Sequence, residues 1–385
     1  MLARALPIAR LVVAAGHEAI VVLPPWDSPQ DSGATLTIDG VPVYHTPVPF
    51  RLPLLANPAL AVLLSWRVAR LQPDVVYAFK PKAFSAVVLL GALAARHLGL
   101  YRGRVVLDTD DWEGEGGWAT REAGRFGWLG RLAIAVTERW CLRLADEVTV
   151  ASRELTRRVA SVRGRAGAYV PLAVAELPPD VPAESVARTR RELGIGAEPV
   201  VLAYTRFAEF EPRRLAEVFA AVAERIPTAR FLVVGAGLDG EERDFAREAE
   251  AVGVASRVVA AGFAEREAIP RYLAAADVAV HLFDDTLMNR TKGQAKLIEL
   301  LAAGVPVVVD GVGQAVEYVR SGETGVVVPA GDVLAMADAV CRLLGDVVSR
   351  SRIAARARED VRRRWRWDCW SGAILTALGL ERQRG

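Results

Sequence analysis

The sequence predicts an α/β protein made of two doubly wound, Rossmann-like domains facing across a cleft. Three observations lead there. Short β-branched runs such as DVVYAF (74–79) and PVVLAYT (199–205) alternate with longer amphipathic stretches such as RRLAEVFAAVAERI (213–226). These strand candidates are near-continuously apolar, as parallel strands covered by helices on both faces must be. Finally, 385 residues at 52% hydrophobic suffice for two cores, and the Pro-, Ala- and charge-rich stretch 172–198 opens no strand and reads as a linker with an entry helix. The expected domains are 1–175 and 184–362.

Taken in order, the first residues, MLARALPIARLVVAAGHE, carry apolar residues at helical spacing and exit through Gly-His into AIVVL (19–23). A doubly wound domain normally opens on a strand and a tight glycine loop. The sequence is therefore expected to begin inside its first unit, with the first strand missing. Strands follow at 74–79, 104–108, 147–151 and 168–172, then at 199–205, 230–237, 257–262, 277–283, 305–310 and 325–329. AKLIELLAAG (295–304) is the most clearly delimited helix, with Gly304 ending it before VPVVV.

Several classes are disfavoured. Formal net charge is +2, with arginines interspersed among acids, so no nucleic-acid partner is expected. Cys141, Cys341 and Cys369 are scattered, with neither metal-ligand spacing nor a disulfide framework, which fits a reducing, cytoplasmic compartment. The longest uncharged apolar run, Ala83 to Ala95, is too short for a bilayer of about 30 Å. Lysine is confined to positions 80, 82, 292 and 296, in FKPK and TKGQAK; every other cationic side chain apart from histidine is arginine. A lysine is a compact point charge where arginine is a planar fork.

In NRTKGQAKLIELLAAG, Asn289 or Thr291 can cap a helix running to Ala303. Its N-terminus is a ready anion site, and Lys292, Lys296 and Glu299 share nearly one face. That set suits a nucleotide, with phosphates at the cations and ribose hydroxyls at the carboxylate. Ordinary Lys–Glu pairing on an amphipathic helix is the plain alternative. In YTRFAEFEPRR (204–214), Arg206 follows a buried strand and Arg213 or Arg214 opens the next helix, where forks can meet phosphate oxygens. Gly235, Gly237 and Gly240 have the spacing of a dinucleotide turn, but the following Glu241 and Glu242 add negative charge, and no acidic ribose ligand stands about twenty residues on. A nicotinamide-dependent oxidoreductase is disfavoured accordingly.

The order of TRFAEFEPRR, FLVVGAG, VVAAGFAEREAIPRYLAAADVAVHL, KLIELLAAGVPVVVD and SGETGVVVPAGD resembles the donor domain of GT-B glycosyltransferases, in particular glycosyltransferase family four. AAGHEAIVVLPP, QPDVVYAFKP and DEVTVASREL in the first half fit the same pattern less tightly. The resemblance implies a glycosyltransferase that moves a sugar from a nucleotide-sugar donor to a carbohydrate or lipid-linked acceptor, with retention of configuration and no cofactor or required metal. It implies that Arg206 and Arg213 hold the donor diphosphate, that Glu299 holds the ribose, that Gly262 and Phe263 lie beside the base, and that Gly237 lies near the phosphates. It also implies that Trp365 and Trp367 mark a terminal helix (366–385) crossing back to the first domain.

Two departures matter. Thr291 stands where the family has a sugar-contacting glutamate; with Lys292 it can still donate hydrogen bonds to the sugar. Asp108, in VVLDTDDWEGEGGW, stands where many members have a histidine facing the sugar. With Asp110 it is read as a carboxylate that orients the acceptor hydroxyl or takes its proton, the alternative being an acid-rich loop cap. Lys80 and Trp112 are expected on the acceptor side, although both can equally serve a packed surface. The arginine run 362–364 reads as a solvated face that leaves room for peripheral contact with anionic lipid on the cytoplasmic side. A second functional reading, from another class, is a nucleotide-sugar-binding protein of the same fold with impaired catalysis.

Overall fold

The computed structural model describes residues 4–25, 29–47, 53–121, 124 and 127–380. It divides into two compact units. One comprises Met1–Leu172, Thr291–Gly293 and the chain from Trp367 onward; the other comprises Ala173–Arg290 and Gln294–Arg366.

The first unit contains α1 (Ala5–Ala14), β1 (Val21–Leu23), β2 (Thr35–Ile38), β3 (Val41–His45), α2 (Pro53–Leu71), β4 (Val75–Phe79), α3 (Ala83–His97), β5 (Arg104–Thr109), α4 (Trp118–Arg121), α5 (Trp128–Leu144), β6 (Glu147–Val150), α6 (Arg153–Arg163) and β7 (Ala168–Tyr169). Its strands form two sheets. One is the all-parallel β4-β5-β6-β7; the other is β1-β3-β2, in which β1 runs parallel and β2 antiparallel to β3. The β2–β3 hairpin is not among the sequence-predicted strands. Its turn is Asp39-Gly40, with φ of 51° and 79°, the positive pair a tight hairpin demands. Helix α6 ends cleanly because its capping groups are local: the Ser152 hydroxyl accepts the Leu155 N–H, and Gly164 closes the far end at φ 76°.

The second unit contains α7 (Ala183–Glu192), β8 (Val200–Tyr204), α8 (Pro212–Arg225), β9 (Arg230–Val234), α9 (Glu241–Ala251), β10 (Val258–Gly262), α10 (Ile269–Ala274), β11 (Val278–His281), α11 (Leu287–Thr291), α12 (Ala295–Ala303), β12 (Val307–Asp310), α13 (Ala315–Tyr318), β13 (Val326–Val328), α14 (Val333–Gly345) and α15 (Val347–Arg364). Its six strands are all parallel, in the order β10-β9-β8-β11-β12-β13. Renumbered within the unit this is 3-2-1-4-5-6, the doubly wound order whose winding reverses between the first and fourth strands. The core is one cluster in which Phe219 stacks on Phe231 at 4.3 Å and Phe207 and Phe245 pack alongside.

The last helix, α16 (Ser371–Leu378), packs on β5, β6, β7 and α1 of the first unit. Five residues of the expected terminal helix, 381–385, lie outside the described residues. Trp365 is buried edge-on against Tyr318 and donates its indole N–H to Asp360. Trp367 is buried in the first unit under the Arg4 guanidinium. The arginine run is occupied within its own helix: Arg362 and Arg363 pair with Glu359, and Arg364 with Asp360. Two of the three guanidiniums share Glu359, and the third shares Asp360 with Arg320, so the run is partly neutralised on its own surface.

Candidate active site

In an open parallel sheet, the strand order opens a crevice at the carboxyl ends where the winding reverses. In the second unit that place lies between β8 and β11. The last residue of β8, Tyr204, donates its hydroxyl to Glu299 at 3.0 Å, and Lys296 lies 3.7 Å from the Tyr204 ring centroid. Burial, and then the Glu299 charge, push the phenol well above its ordinary range. One tyrosine thus docks both a cation and a carboxylate of α12, three residues apart and on one face.

Arg206 leaves the end of β8 with an exposed side chain 3.8 Å from Glu209. The loop that carries it is fixed at both ends. Phe207, held at φ 57°, donates its N–H to the Thr205 hydroxyl, and the Asn289 side-chain amide donates to the carbonyls of Glu209 and Asp284. Arg213 is exposed and pairs with Glu217 one turn on. Arg214 instead meets Asp310 at 2.7 Å and Asp284 at 3.2 Å, and Asp310 also accepts the Phe283 and Gly331 N–H groups. The sequence held a signal for this. Leu215, Val218, Phe219 and Val222 define the buried face of α8, and at about 100° per residue Arg213 lies opposite that face while Arg214 flanks it.

The glycine turns sit beside the same strand ends. Gly235, at φ 122°, donates to the Gly262 carbonyl at 2.7 Å, and a Cβ there would come within 1.8 Å of the Thr205 carbonyl oxygen. The loops after β8, β9 and β10 therefore cross at backbone contact, which only glycine permits. Gly237 donates its N–H to Glu242, whose carboxyl is held below its usual range by backbone N–H bonds. Gly262 takes φ 66°, and the side chain of Phe263, 76% exposed, stands in solvent.

The helix expected from Asn289 or Thr291 to Ala303 is two helices. Chain between them, Lys292–Gln294, is non-helical because its groups are used elsewhere. Gly293 donates to the Asp110 carbonyl, the Gln294 N–H donates to the Gln314 side-chain oxygen, and the Gln294 side chain donates to the Val312 carbonyl. Lys292 and Lys296 therefore do not share a helix face. Thr291 is fully buried, and its carbonyl accepts the Ser152 hydroxyl at 2.8 Å.

In the first unit, Asp108 lies inside β5, 1% exposed, and takes a two-pronged ion pair from Arg4 at 2.5 and 2.7 Å. The Tyr77 and Thr149 hydroxyls also bond to it. This corrects the reading of Asp108 as a proton acceptor. Its oxygens are consumed by a buried cation and two hydroxyls from neighbouring strands, so it anchors the sheet.

The loop beyond β5 gathers the lysines. Lys80 lies 3.3 Å from Asp110, 2.6 Å from Asp111 and 3.7 Å from Glu113, and Lys82 lies 2.5 Å from Glu113. Lys292 sits 5.0 Å over the Trp118 ring. Burial raises the Asp110 carboxyl above its usual range in spite of Lys80; Asp111 is more deeply buried, but Lys80 and Lys292 more than offset that and hold it low. Below the loop, Glu138 accepts the N–H groups of Glu113 and Gly114 at 2.9 Å, and burial pushes it up to about 7. Trp112 is buried, donates its indole N–H to the Glu115 carbonyl and carries Arg158 over one face of its ring. The expected stacking of Trp112 on an acceptor is corrected to packing. Among the described residues no group of His, Cys, Asp and Glu is arranged to hold a metal ion.

Sequence reasoning passed over Arg4, Tyr77, Glu138 and Tyr204. Arg4 and Asp108 are 104 positions apart, and nothing local marks the pair. Tyr204 stood in the quoted strand end, and its place at a carboxyl terminus was the available clue.

Two family models match the chain: "Glycosyl transferase 4-like domain" over residues 1–175 and "Glycosyl transferases group 1" over 198–346. A GDP-mannose-dependent alpha-(1-6)-phosphatidylinositol monomannoside mannosyltransferase of Mycolicibacterium smegmatis is 30% identical, covering 94% of this chain and 90% of its own. Among solved structures, Anabaena HepE in complex with UDP-glucose superposes with a TM-score of 0.72 at 20% identity, covering 97% of this chain and 96% of its own. A sucrose-phosphate synthase from Thermosynechococcus elongatus gives a TM-score of 0.71 at 21% identity, covering 96% and 89%. These likenesses establish the shared architecture.

Proposed function

The chain belongs to glycosyltransferase family four, with the GT-B fold, and from that premise we propose that it moves a sugar from a nucleoside-diphosphate donor to a polyol, carbohydrate or lipid-linked acceptor, retaining anomeric configuration without a bound metal. One observation carries the donor assignment. Glu299 and Lys296 share one face of α12 on Tyr204, at the strand ends where the sheet's winding reverses, with Arg206 on the adjoining loop. In this reading the exposed Glu299 carboxylate accepts from the ribose hydroxyls. Breaking the bond to the sugar builds negative charge on the departing diphosphate, and Arg206 and Lys296 stabilise it as it develops. Fixed cations aimed at developing charge are the largest kind of catalytic contribution. Gly262 leaves room for the base and Phe263 offers an exposed ring beside it. Thr291 and Lys292 are buried, so neither is assigned to the sugar, and Asp110 is the remaining carboxylate proposed for the acceptor side. The mannosyltransferase relative makes GDP-mannose the first donor to test.

The experiment is product analysis by NMR after incubation with a panel of nucleotide sugars and inositol-, aminocyclitol- and lipid-type acceptors, in the presence of chelator. A new glycosidic bond with the donor's anomeric configuration supports the proposal; an inverted product, or transfer that chelator abolishes, overturns that part of it. The engaged Asp108 and the buried Thr291 favour a second reading, a donor-binding protein with impaired transfer. Donor binding without turnover on any acceptor would support that reading.

A further inference from the structure

We propose that the outer face of the first unit, formed by α2, α3 and α5, lies on an anionic lipid bilayer. A surface helix normally turns its apolar stripe inward. Helix α5 also carries one outward: Trp128, Leu132, Val136 and Trp140 recur every four residues and are all exposed, with Trp128 at 66% and Trp140 at 55%. From Trp128 to Leu144 the helix runs for about 24 Å, at 1.5 Å per residue. Helix α2 adds exposed Val62 and Trp66. Both helices pack against α3, so the residues belong to one layer. Apolar surface of this extent on one face marks an interaction site.

Charge identifies the occupant. The three helix sequences contain a single acid, Glu138, and it is buried and bonded to backbone N–H groups; the same sequences contain six arginines, including exposed Arg70, Arg131 and Arg139. Tryptophan with arginine at the edge of an apolar stripe is the composition of helices lying in the plane of a lipid interface. A second copy suits the face poorly: a two-fold pairing sets the same patch against itself. Such a patch would place arginines against arginines, with no exposed acid on these helices to meet them. No described helix is long and apolar enough to cross a membrane, so the contact is of the lying-on kind. The surface is independent of donor chemistry, and it is separate from the Arg362–Arg364 run, which lies on α15 of the second unit.

The test is co-sedimentation of the full chain with vesicles of phosphatidylcholine alone and of phosphatidylcholine with phosphatidylglycerol. Preferential binding to the phosphatidylglycerol vesicles, weakened by added salt, is expected. Leu132→Glu/Trp140→Glu should reduce the partition at least about tenfold, since it removes two inserted side chains and adds two repelled charges. Arg131→Gln/Arg139→Gln should reduce it several-fold while leaving the apolar stripe intact. Melting and nucleoside-diphosphate affinity should be unchanged in both, which separates a lost surface from a lost fold. Equal binding to both vesicle types, or variants that bind like the parent, would overturn the proposal. So would a solution dimer that Leu132→Glu/Trp140→Glu converts to monomer, which would assign the face to a second copy.

Discussion

Replacing Asp108 by Asn separates the two roles this residue can have. Arg4 and Asp108 are buried, with side chains 6% and 1% exposed, and their two contacts measure 2.5 and 2.7 Å. At such burial water and salt screen the pair little. Asparagine keeps one acceptor oxygen but leaves the Arg4 charge uncompensated inside the first unit. Breaking one partner of a buried pair costs about 3–5 kcal/mol, and the retained oxygen places this change near 3 kcal/mol. The assay is urea unfolding monitored by fluorescence, with the midpoint and slope fitted together. Arg4→Met/Asp108→Asn supplies the control: with the stranded charge gone, the double variant should be more stable than Asp108→Asn alone. The reasoning fails if Asp108→Asn unfolds within about 0.5 kcal/mol of the parent, the range of ordinary surface changes, while turnover falls a hundredfold. That pattern belongs to a group acting on substrate.

Three further outcomes follow from other parts of the molecule. Glu138 is pushed from the ordinary glutamate value up to about 7, so between those values the folded state holds its proton more tightly than the unfolded chain. Stability should therefore fall as pH rises through that window, by on the order of 2–3 kcal/mol, and Glu138→Gln should flatten the dependence; an unchanged slope would assign it to another group, with Glu113 the first candidate. Gly235→Ala should cost at least about 2 kcal/mol by chemical denaturation, because a Cβ at φ 122° meets the Thr205 carbonyl oxygen at 1.8 Å; a neutral result would mean that the loops after β8 and β9 separate easily. Tyr204→Phe removes the hydroxyl that holds Glu299 at 3.0 Å and should raise the donor KM several-fold with little change in kcat or melting. A fall in kcat alone would make the tyrosine a participant in the chemistry.

The fold was legible because buried parallel strands leave near-continuous apolar runs, and β8, β9 and β12 stand where VVLAY, RFLVV and VVVD occur. The hairpin of β2 and β3 escaped because Thr35 to Ile38 is mostly exposed and alternates threonine with an apolar residue instead of forming a continuous apolar run, although Asp39-Gly40 signalled its turn. Glu299 and Lys296 were legible as one helix face because their spacing is local. The break before Ala295 was not, since it depends on Gln294 finding Gln314 and Val312 some twenty positions away. The clustering of lysines had a tertiary cause of the same kind. Lys80, Lys82 and Lys292 all gather at the acidic loop after β5, and only Lys296 sits at the Tyr204–Glu299 pair. Asp108 misled because a carboxylate at the end of a buried strand looks the same in sequence whether it meets a substrate or Arg4.

The most direct test of the donor site is calorimetric titration of a donor nucleoside diphosphate, GDP first, into the parent chain and Glu299→Ala. Two hydrogen bonds from ribose hydroxyls to a charged carboxylate, at about 1.5 kcal/mol or more each, predict a loss of affinity of roughly a hundredfold with unchanged melting. Equal affinity in the two proteins would place the nucleotide elsewhere and contradict the account.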